Sequence, residues 1–255
     1  MSSPNCSRPR VLVTGASGFL GRHLTEVLRR EYFVRSLDLT ACPQADESVC
    51  GSVANTATVD RALDDMNALV IAHMAPNRPE VYGSPEIPFD VNVKGTAMLL
   101  AAAVRQGLRR VVLISSVSVV SGAQAAGEFL TDRLPASPGN LYSLTKHLQE
   151  ETARYHHRCH GLEVAVLRPA YISRGDTLED KYGVRRPSVN WQFIDPRDIG
   201  TAAAAALRLD RLGCEVFYLM AGPGAEAHAE VARTAERLGW QPQYRFGEFA
   251  QDKKP

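Results

Sequence analysis

The 255-residue chain has no long hydrophobic run: stretches such as Val11-Leu12-Val13 and Val164 to Leu167 fall far short of the roughly 20 apolar residues of a membrane-spanning helix. It has no Cys-x-x-Cys pair, and its 5 cysteines (Cys6, Cys42, Cys50, Cys159, Cys214) are odd in number and scattered. That pattern argues against a disulfide framework and a zinc knuckle, and it fits a reducing, cytoplasmic setting. Charge of one sign is missing too. Lys+Arg 29 against Asp+Glu 28 leave a formal net charge of +1, so no global field draws the protein to nucleic acid or to an anionic membrane. Internal repeats and low-complexity linkers are absent. His156 and His160 stand four apart, but no carboxylate at suitable spacing completes a metal site. They read as cations favoured at a helix C-terminus, and no metal is expected. Residues 1–9 read as a flexible tail, without the apolar core of a secretion signal. What is there is a chain of 45% hydrophobic residues, long enough to bury a full core and suited to a small-molecule partner.

Apolar, β-rich runs alternate with helical patterns. Val11 to Thr14, a helix from Phe19 to about Arg30, Val34 to Asp38, a helix near Val59 to Asp65 and Leu69 to His73 make a βαβαβ series. A helix over about Phe89 to Gln106, with Val91, Met98, Leu99, Ala102 and Val104 near one side, is stopped by Gly107 before the strand Val111 to Ser115. A helix from Leu141 to His157, a strand Val164 to Leu167, a helix Asp198 to Leu209, a strand Val216 to Leu219 and a helix Ala225 to Leu238 follow. The series predicts an α/β fold: a parallel sheet covered on both faces. Residues 75–88 and 170–197 break the alternation after strand ends. They belong at the carboxyl edge of the sheet, where doubly wound folds bind ligands.

Gly15-Ala16-Ser17-Gly18-Phe19-Leu20-Gly21 lies directly behind the first strand. One glycine permits the tight turn, another lets backbone approach a phosphate, and a third lets the helix pack closely on the sheet. The opening amides of that helix then face the anion with the positive end of its dipole. This is a dinucleotide diphosphate site on a Rossmann-type, doubly wound sheet. Asp38 closes the second strand, where an acid accepts hydrogen bonds from the adenine ribose hydroxyls and repels a 2′-phosphate. NAD is therefore expected over NADP, with Arg22 and Arg35 as the residues that would soften the preference. Tyr142 and Lys146 share one face of a helix, one turn apart. An ammonium beside a phenol stabilises the phenolate, so the pair predicts a tyrosine base tuned toward neutrality.

Together, Gly15-x-x-Gly18-x-x-Gly21, Asp38, His73-Met74-Ala75, Asn92-Val93-Lys94-Gly95-Thr96, Ser115-Ser116, Tyr142-x-x-x-Lys146, Arg168-Pro169 and Leu238-Gly239-Trp240 resemble the extended short-chain dehydrogenase/reductase superfamily, the NAD-dependent epimerases, dehydratases and sugar dehydrogenases. The resemblance runs from Val11 to about Trp240. It implies catalytic roles for Tyr142 (proton transfer), Lys146 (which also binds the nicotinamide ribose) and Ser116 (polarising the reacting oxygen), with Ser118 as the nearby alternative. It implies cofactor contacts from Gly15, Ser17, Gly18, Phe19, Leu20, Gly21, Asp38, Ser52, Val53, His73, Ala75, Asn92, Tyr142, Lys146 and Pro169. Ser52 stands where the family commonly has an acid that bonds the adenine amine. His73 is expected to pack or to bond backbone rather than transfer a proton. Val117 and Ser118 occupy the places where sugar dehydratases have Asp-Glu, so water elimination is not expected. The resemblance also implies a homodimer built on the helices Phe89 to Gln106 and Leu141 to His157.

The expected organisation is a tail (1–9), a dinucleotide-binding domain (10–169) and a mixed region (170–255). The last contributes sheet elements at about 195–220 and a small, reduced substrate lobe from 170–194 and 221–255. The segment Ser173 to Ile194 carries Arg174, Lys181, Tyr182, Arg185, Arg186 and Trp191. Guanidinium groups suit an anionic substituent and aromatic faces suit sugar C–H surfaces. The substrate contacts expected are Arg78, Ser116, Ser118, Tyr142, Arg174 and Trp191, with Tyr82 of the same proline-rich loop as Arg78 a further candidate, and the short region after Lys146 favours a compact aldose or uronate. The activity expected is hydride transfer between a sugar-like secondary alcohol and the nicotinamide. The alternatives are an NAD-retaining sugar or nucleotide-sugar epimerase and a non-enzymatic dinucleotide-binding regulator.

Overall fold

The computed structural model describes residues 8–76 and 82–249. Its strands and helices in chain order are β1 Arg10–Thr14, α1 Phe19–Leu28, β2 Phe33–Asp38, β3 Glu47–Cys50, α2 Thr56–Leu63, β4 Ala68–Ile71, the short turn α3 Glu86–Pro88, α4 Gly95–Arg105, β5 Arg110–Ile114, α5 Ser121–Ala125, α6 Leu141–His160, β6 Glu163–Pro169, β7 Tyr171–Ile172, β8 Phe193–Ile194, α7 Pro196–Arg208, β9 Cys214–Leu219 and α8 Val231–Leu238. Seven strands form one sheet in the order β3-β2-β1-β4-β5-β6-β9, every neighbouring pair parallel.

The period-two alternation of the strands divides the core between the faces. Leu12, Leu69, Ile71, Val111, Leu113, Val164 and Val166 pack on one side with residues of α2, α4 and α6. Val11, Val13, Val70, Val112, Ile114, Ala165 and Leu167 pack on the other with residues of α1, α7 and α8. Gly200 of α7 brings that helix so close to α1 that a Cβ there would lie 3.0 Å from Val27. A third, small cluster of Leu178, Phe193 and Phe246 underlies β7 and β8, which pair with each other outside the main sheet.

Several boundaries differ from the sequence expectation. The edge strand β3 is absent from the predicted series because Glu-Ser-Val-Cys offers a single large apolar side chain, Val49. The predicted helix from Phe89 begins as a π-helical stretch, Phe89–Lys94, before α4. The run Glu86–Arg105 reaches a mean hydropathy of 1.3 and is long enough by length and composition to cross a membrane; here its Leu99, Leu100, Ala102 and Ala103 are core residues. The closing helix is broken into a 3-10 turn, Ala225–Ala227, and α8. Residues 1–7 of the expected tail lie outside the described residues, but Arg8 and Pro9 are already tied down: Arg8 donates to the Arg29 carbonyl at 2.7 Å, and the Pro9 carbonyl accepts from Phe33 N–H at 2.9 Å.

Candidate active site

At the carboxyl ends of the strands, where the order reverses between β1 and β4, lies a crevice of about 660 Å³. Two glycines shape its floor. Gly15 has φ +68°, and a Cβ there would come within 2.6 Å of the His73 backbone; at Gly21 it would come within 2.0 Å of the Gly15 carbonyl oxygen. Gly18 caps α1 without a side-chain bond, and no acid occupies the helix's first turn. The opening amides are thus uncapped by side chains and lie beside the crevice, as an anion site requires. Asp38 is fixed by accepting from Ser17 N–H at 2.9 Å and from Leu39 N–H at 2.7 Å. Ser52 and Val53 line the same end; the Ser52 hydroxyl oxygen accepts from Ala54 N–H at 3.1 Å. Arg35 turns away, buried, and donates to the carbonyls of Ala62 and Asp64 at 3.1 and 2.6 Å. Arg22 faces a separate cavity of about 370 Å³. Neither arginine lines the crevice, so the residues at this end fit a dinucleotide with a free ribose 2′-hydroxyl.

Between the two ends, His73 and Asn92 hold the backbone in place. His73 Nε2 lies 3.0 Å from the Val91 carbonyl oxygen, and Nδ1 lies 2.9 Å from the Thr14 hydroxyl. A carbonyl only accepts, so Nε2 carries the proton and Nδ1 accepts from Thr14, whose oxygen in turn accepts from Ala72 N–H at 3.2 Å. Burial, with the Lys146 charge adding to it, pushes the His73 pKa down to about 3, which keeps the ring neutral. Asn92, fully buried, accepts from Ala75 N–H at 2.7 Å and donates to Thr145 at 2.9 Å and to the Tyr82 hydroxyl at 3.3 Å.

At the inner end, α6 starts from an Asn140–Ser143 capping box and delivers Tyr142 and Lys146 to the crevice. Lys146, 3% exposed, donates to the Ile114 carbonyl at 2.9 Å. Ser116 hydrogen-bonds the Tyr142 phenol, while its own oxygen accepts from Ser118 N–H at 3.2 Å and from the Ser118 hydroxyl at 3.0 Å. Ser116 lines the crevice and Ser118 stands behind it; the 3-10 turn Val117–Val120 absorbs this stretch and buries Val117. The expected phenol tuned toward neutrality is not what the chain alone produces. Burial pushes Tyr142 up to about 12, which outweighs the Ser116 bond, and burial pushes Lys146 down to about 7 against the pull of Glu150.

The substrate residues fall out differently. Arg78 lies outside the described residues. Arg174 is not brought to the crevice: its guanidinium forms two bonds with Asp176, both at 3.0 Å, beside the smaller cavity. Trp191 is a packing residue, stacked on His228 with ring centroids 4.4 Å apart, and it too does not line the crevice. Lys181 and Tyr182 of the same segment do line it, as do Ala170, Tyr171 and Ile172. Lys181 sits 4.8 Å over the Tyr182 ring. Tyr82, the further candidate of the proline-rich loop, has its ring 6.4 Å from that of Tyr142. Glu150, one turn beyond Lys146, belongs to the surroundings of the site and was not anticipated. For Glu150 the signal was present: it is four residues from Lys146, hence on the same helix face.

The NAD dependent epimerase/dehydratase family model matches residues 11–173. The chain belongs to this family. A UDP-glucose 4-epimerase of Azospirillum brasilense is 30% identical over 185 residues, 69% of this chain and 53% of that protein. A uronate dehydrogenase of Pseudomonas syringae pv. tomato is 29% identical over 218 residues, 82% of this chain and 73% of that protein. The chain spans about half the length of the first curated relatives it matches. Among solved structures, a short-chain dehydrogenase/reductase superfamily protein from Agrobacterium tumefaciens, crystallised with bound NAD, superposes with a TM-score of 0.81 at 23% identity, covering 95% of each chain. The seven-stranded parallel sheet is thus the fold of the superfamily.

Proposed function

We propose that the protein is an NAD-dependent oxidoreductase acting on a secondary alcohol of a sugar or sugar derivative. The observation that carries this reading is convergence: the uncapped helix start at Gly18, the ribose-side acid Asp38 and the group Ser116, Tyr142 and Lys146 all face one crevice. NAD, held by the Gly15–Gly21 turn, Asp38, Ser52 and Val53, supplies the hydride acceptor. Tyr142 moves the proton of the reacting oxygen; protonated at neutral pH, it is set to donate in the reductive direction. In the oxidative direction a phenolate must form, and the Lys146 ammonium, present at and below neutral pH, stabilises it. Ser116 directs its one proton to the Tyr142 side, where it polarises the reacting oxygen, and Ser118 orients it from behind. Residues 10–169 with 195–220 form the cofactor-binding part, and 170–194 with 221–249 the substrate side.

A screen of sugars and uronates with NAD and NADP in parallel tests the reading, with reduction of NAD by at least one of them as the expected result. No turnover across the panel would remove it and favour a binding role instead. The second reading, an epimerase that retains its dinucleotide, is supported by the similarity to UDP-glucose 4-epimerase. Purified protein that carries bound dinucleotide and needs none added would select it. We further propose a homodimer and a cytoplasmic location. The dimer is supported by Ile87, Phe89 and Tyr155, large apolar side chains exposed on the Glu86–Arg105 run and on α6. The location is supported by Cys42, Cys50, Cys159 and Cys214, which are all free.

A further inference from the structure

Glu150 has no part in the proton transfer just described, yet it is 0% exposed at the heart of the α6 packing. One oxygen accepts from the Ser115 hydroxyl at 2.6 Å and from Arg168 Nε at 2.9 Å; the other accepts from Arg168 Nη2 at 2.8 Å and from Arg154 Nη2 at 3.1 Å. Arg168, 2% exposed, passes the chain of bonds on to the Tyr218 hydroxyl at 2.8 Å, which donates to the Thr131 carbonyl at 3.1 Å. A carboxylate is costly to bury, and a bidentate guanidinium with further donors is what makes it tolerable. Stability alone gives little reason to keep such a pair, because apolar replacements of similar volume are often as stable.

Its placement gives it another use. Helix α6 grips the end of β5 twice, one turn apart: Lys146 donates to the Ile114 carbonyl, and Ser115 donates to Glu150. The next residue is Ser116. The two grips therefore set the position of Ser116 against Tyr142, which rides on the same helix. Glu150 is also the opposite charge that faces Lys146. The other groups facing that ammonium are Tyr142 on α6, His73 beyond β4, held neutral, and Lys181 in the segment after β7, which repels it.

We propose that Glu150 is a positioning residue for the Tyr142 chemistry: a buried carboxylate, clamped by Arg168, that holds the charged Lys146 and the Ser115-Ser116 strand end in one arrangement with Tyr142. The proposal rests on the roles assigned above to Tyr142 and Lys146. Burial works to neutralise both members of this pair, and the Arg168 bonds keep Glu150 ionised below the usual carboxylate range, so its charge is present wherever Lys146 titrates.

The test reads Lys146 directly and needs no substrate. The chain's lysines are Lys94, Lys146, Lys181, Lys253 and Lys254, few enough for ¹³Cε-lysine NMR of the full-length protein, with Lys146 assigned by its loss in Lys146→Arg. The expected midpoint is near 7 in the unsubstituted protein. Glu150→Gln should lower it by about one pH unit or more, and Glu150→Asp should restore most of the shift. Ser115→Ala, which removes a bond but no charge, should leave the midpoint in place while lowering kcat with little change in KM. Should Glu150→Gln fail to fold, Ser115→Ala stands in for it, because it removes the 2.6 Å grip of Glu150 on the strand end without removing a charge. A folded Glu150→Gln with an unmoved midpoint, or a Ser115→Ala with an unchanged kcat, would overturn the proposal. Absence of turnover on every alcohol would sink the functional reading and leave the titration result standing, so the two failures are distinguishable.

Discussion

Burial is the largest influence on three side chains at the inner end of the crevice, Tyr142, Lys146 and His73. It raises Tyr142, lowers Lys146 and lowers His73, in each case favouring the neutral form. A site built this way depends on each retained charge and on each oriented proton. Ser116→Ala should therefore reduce kcat on the order of 10²-fold, as loss of one aligned donor does elsewhere. Ser118→Ala, which reaches the reacting oxygen only through Ser116, should cost much less; steady-state kinetics on the pair decides the assignment. Asp38→Ala should narrow the preference for NAD over NADP, read as the ratio of kcat/KM for the two, because the charge that repels a 2′-phosphate is gone. The spacing of Tyr142 and Lys146 made their shared helix face legible from the sequence. The direction of the tyrosine shift was not legible, since it depends on how completely β5, α6 and the loop bearing Tyr82 enclose the phenol, and spacing carries no measure of enclosure.

At the scale of elements, the structure turns on how β4 meets the helical run that follows it. The π-helical stretch Phe89–Lys94 and Gly95, where a Cβ would lie 2.6 Å from Val53, bring the Val91 carbonyl onto His73. The imidazole is neutral in the fold down to about pH 3, whereas in the unfolded chain it takes a proton near 6.5. The unfolded state thus binds more protons throughout that window, so this contribution to stability is complete above about pH 6.5 and is lost as pH falls toward 3. The loss attributable to His73 between about pH 7 and about pH 4 is roughly 3 kcal/mol, from ~1.36 kcal/mol per unit of pKa difference. Urea unfolding at both pH values, compared with His73→Gln, measures it: the variant should show a shallower acid-side decline. Strands that are buried on both faces, such as β1 and β5, announced themselves as apolar runs. The edge strand β3 and the π-helical start did not, because one is short and half exposed and the other depends on bonds from its Val91 and Asn92 to His73 and Ala75, just after β4, that no local period encodes.

At the scale of the whole molecule, the sheet places the dinucleotide cradle on β1 and β2 and the proposed proton-transfer group, Ser116, Tyr142 and Lys146, on β5 and α6, so that the reversal of strand order joins them in one crevice. The glycine turn, the acid at Asp38 and the tyrosine–lysine pair were legible because backbone approach, charge and helix periodicity each demand particular residue types. The substrate side was legible as a segment, Ser173 to Ile194, but not residue by residue. Arg174 is consumed by Asp176 and Trp191 by His228, local pairings that composition does not reveal, and Lys181 and Tyr182 face the crevice in their place. The proposed dimer makes its own prediction: light scattering should give about twice the 27.9 kDa chain mass, and Ile87→Arg, at a side chain 63% exposed, should shift the protein toward monomer without unfolding it.

The role proposed for the Tyr142 phenol is transfer of the proton when hydride passes to NAD in this crevice. Its most direct test is the absorbance of reduced nicotinamide formed from the best sugar or uronate substrate by the unsubstituted protein and by Tyr142→Phe, with NAD binding measured alongside. The rate should fall on the order of 10²–10⁴-fold with NAD affinity retained. A Tyr142→Phe protein that turns over at the full rate would contradict it.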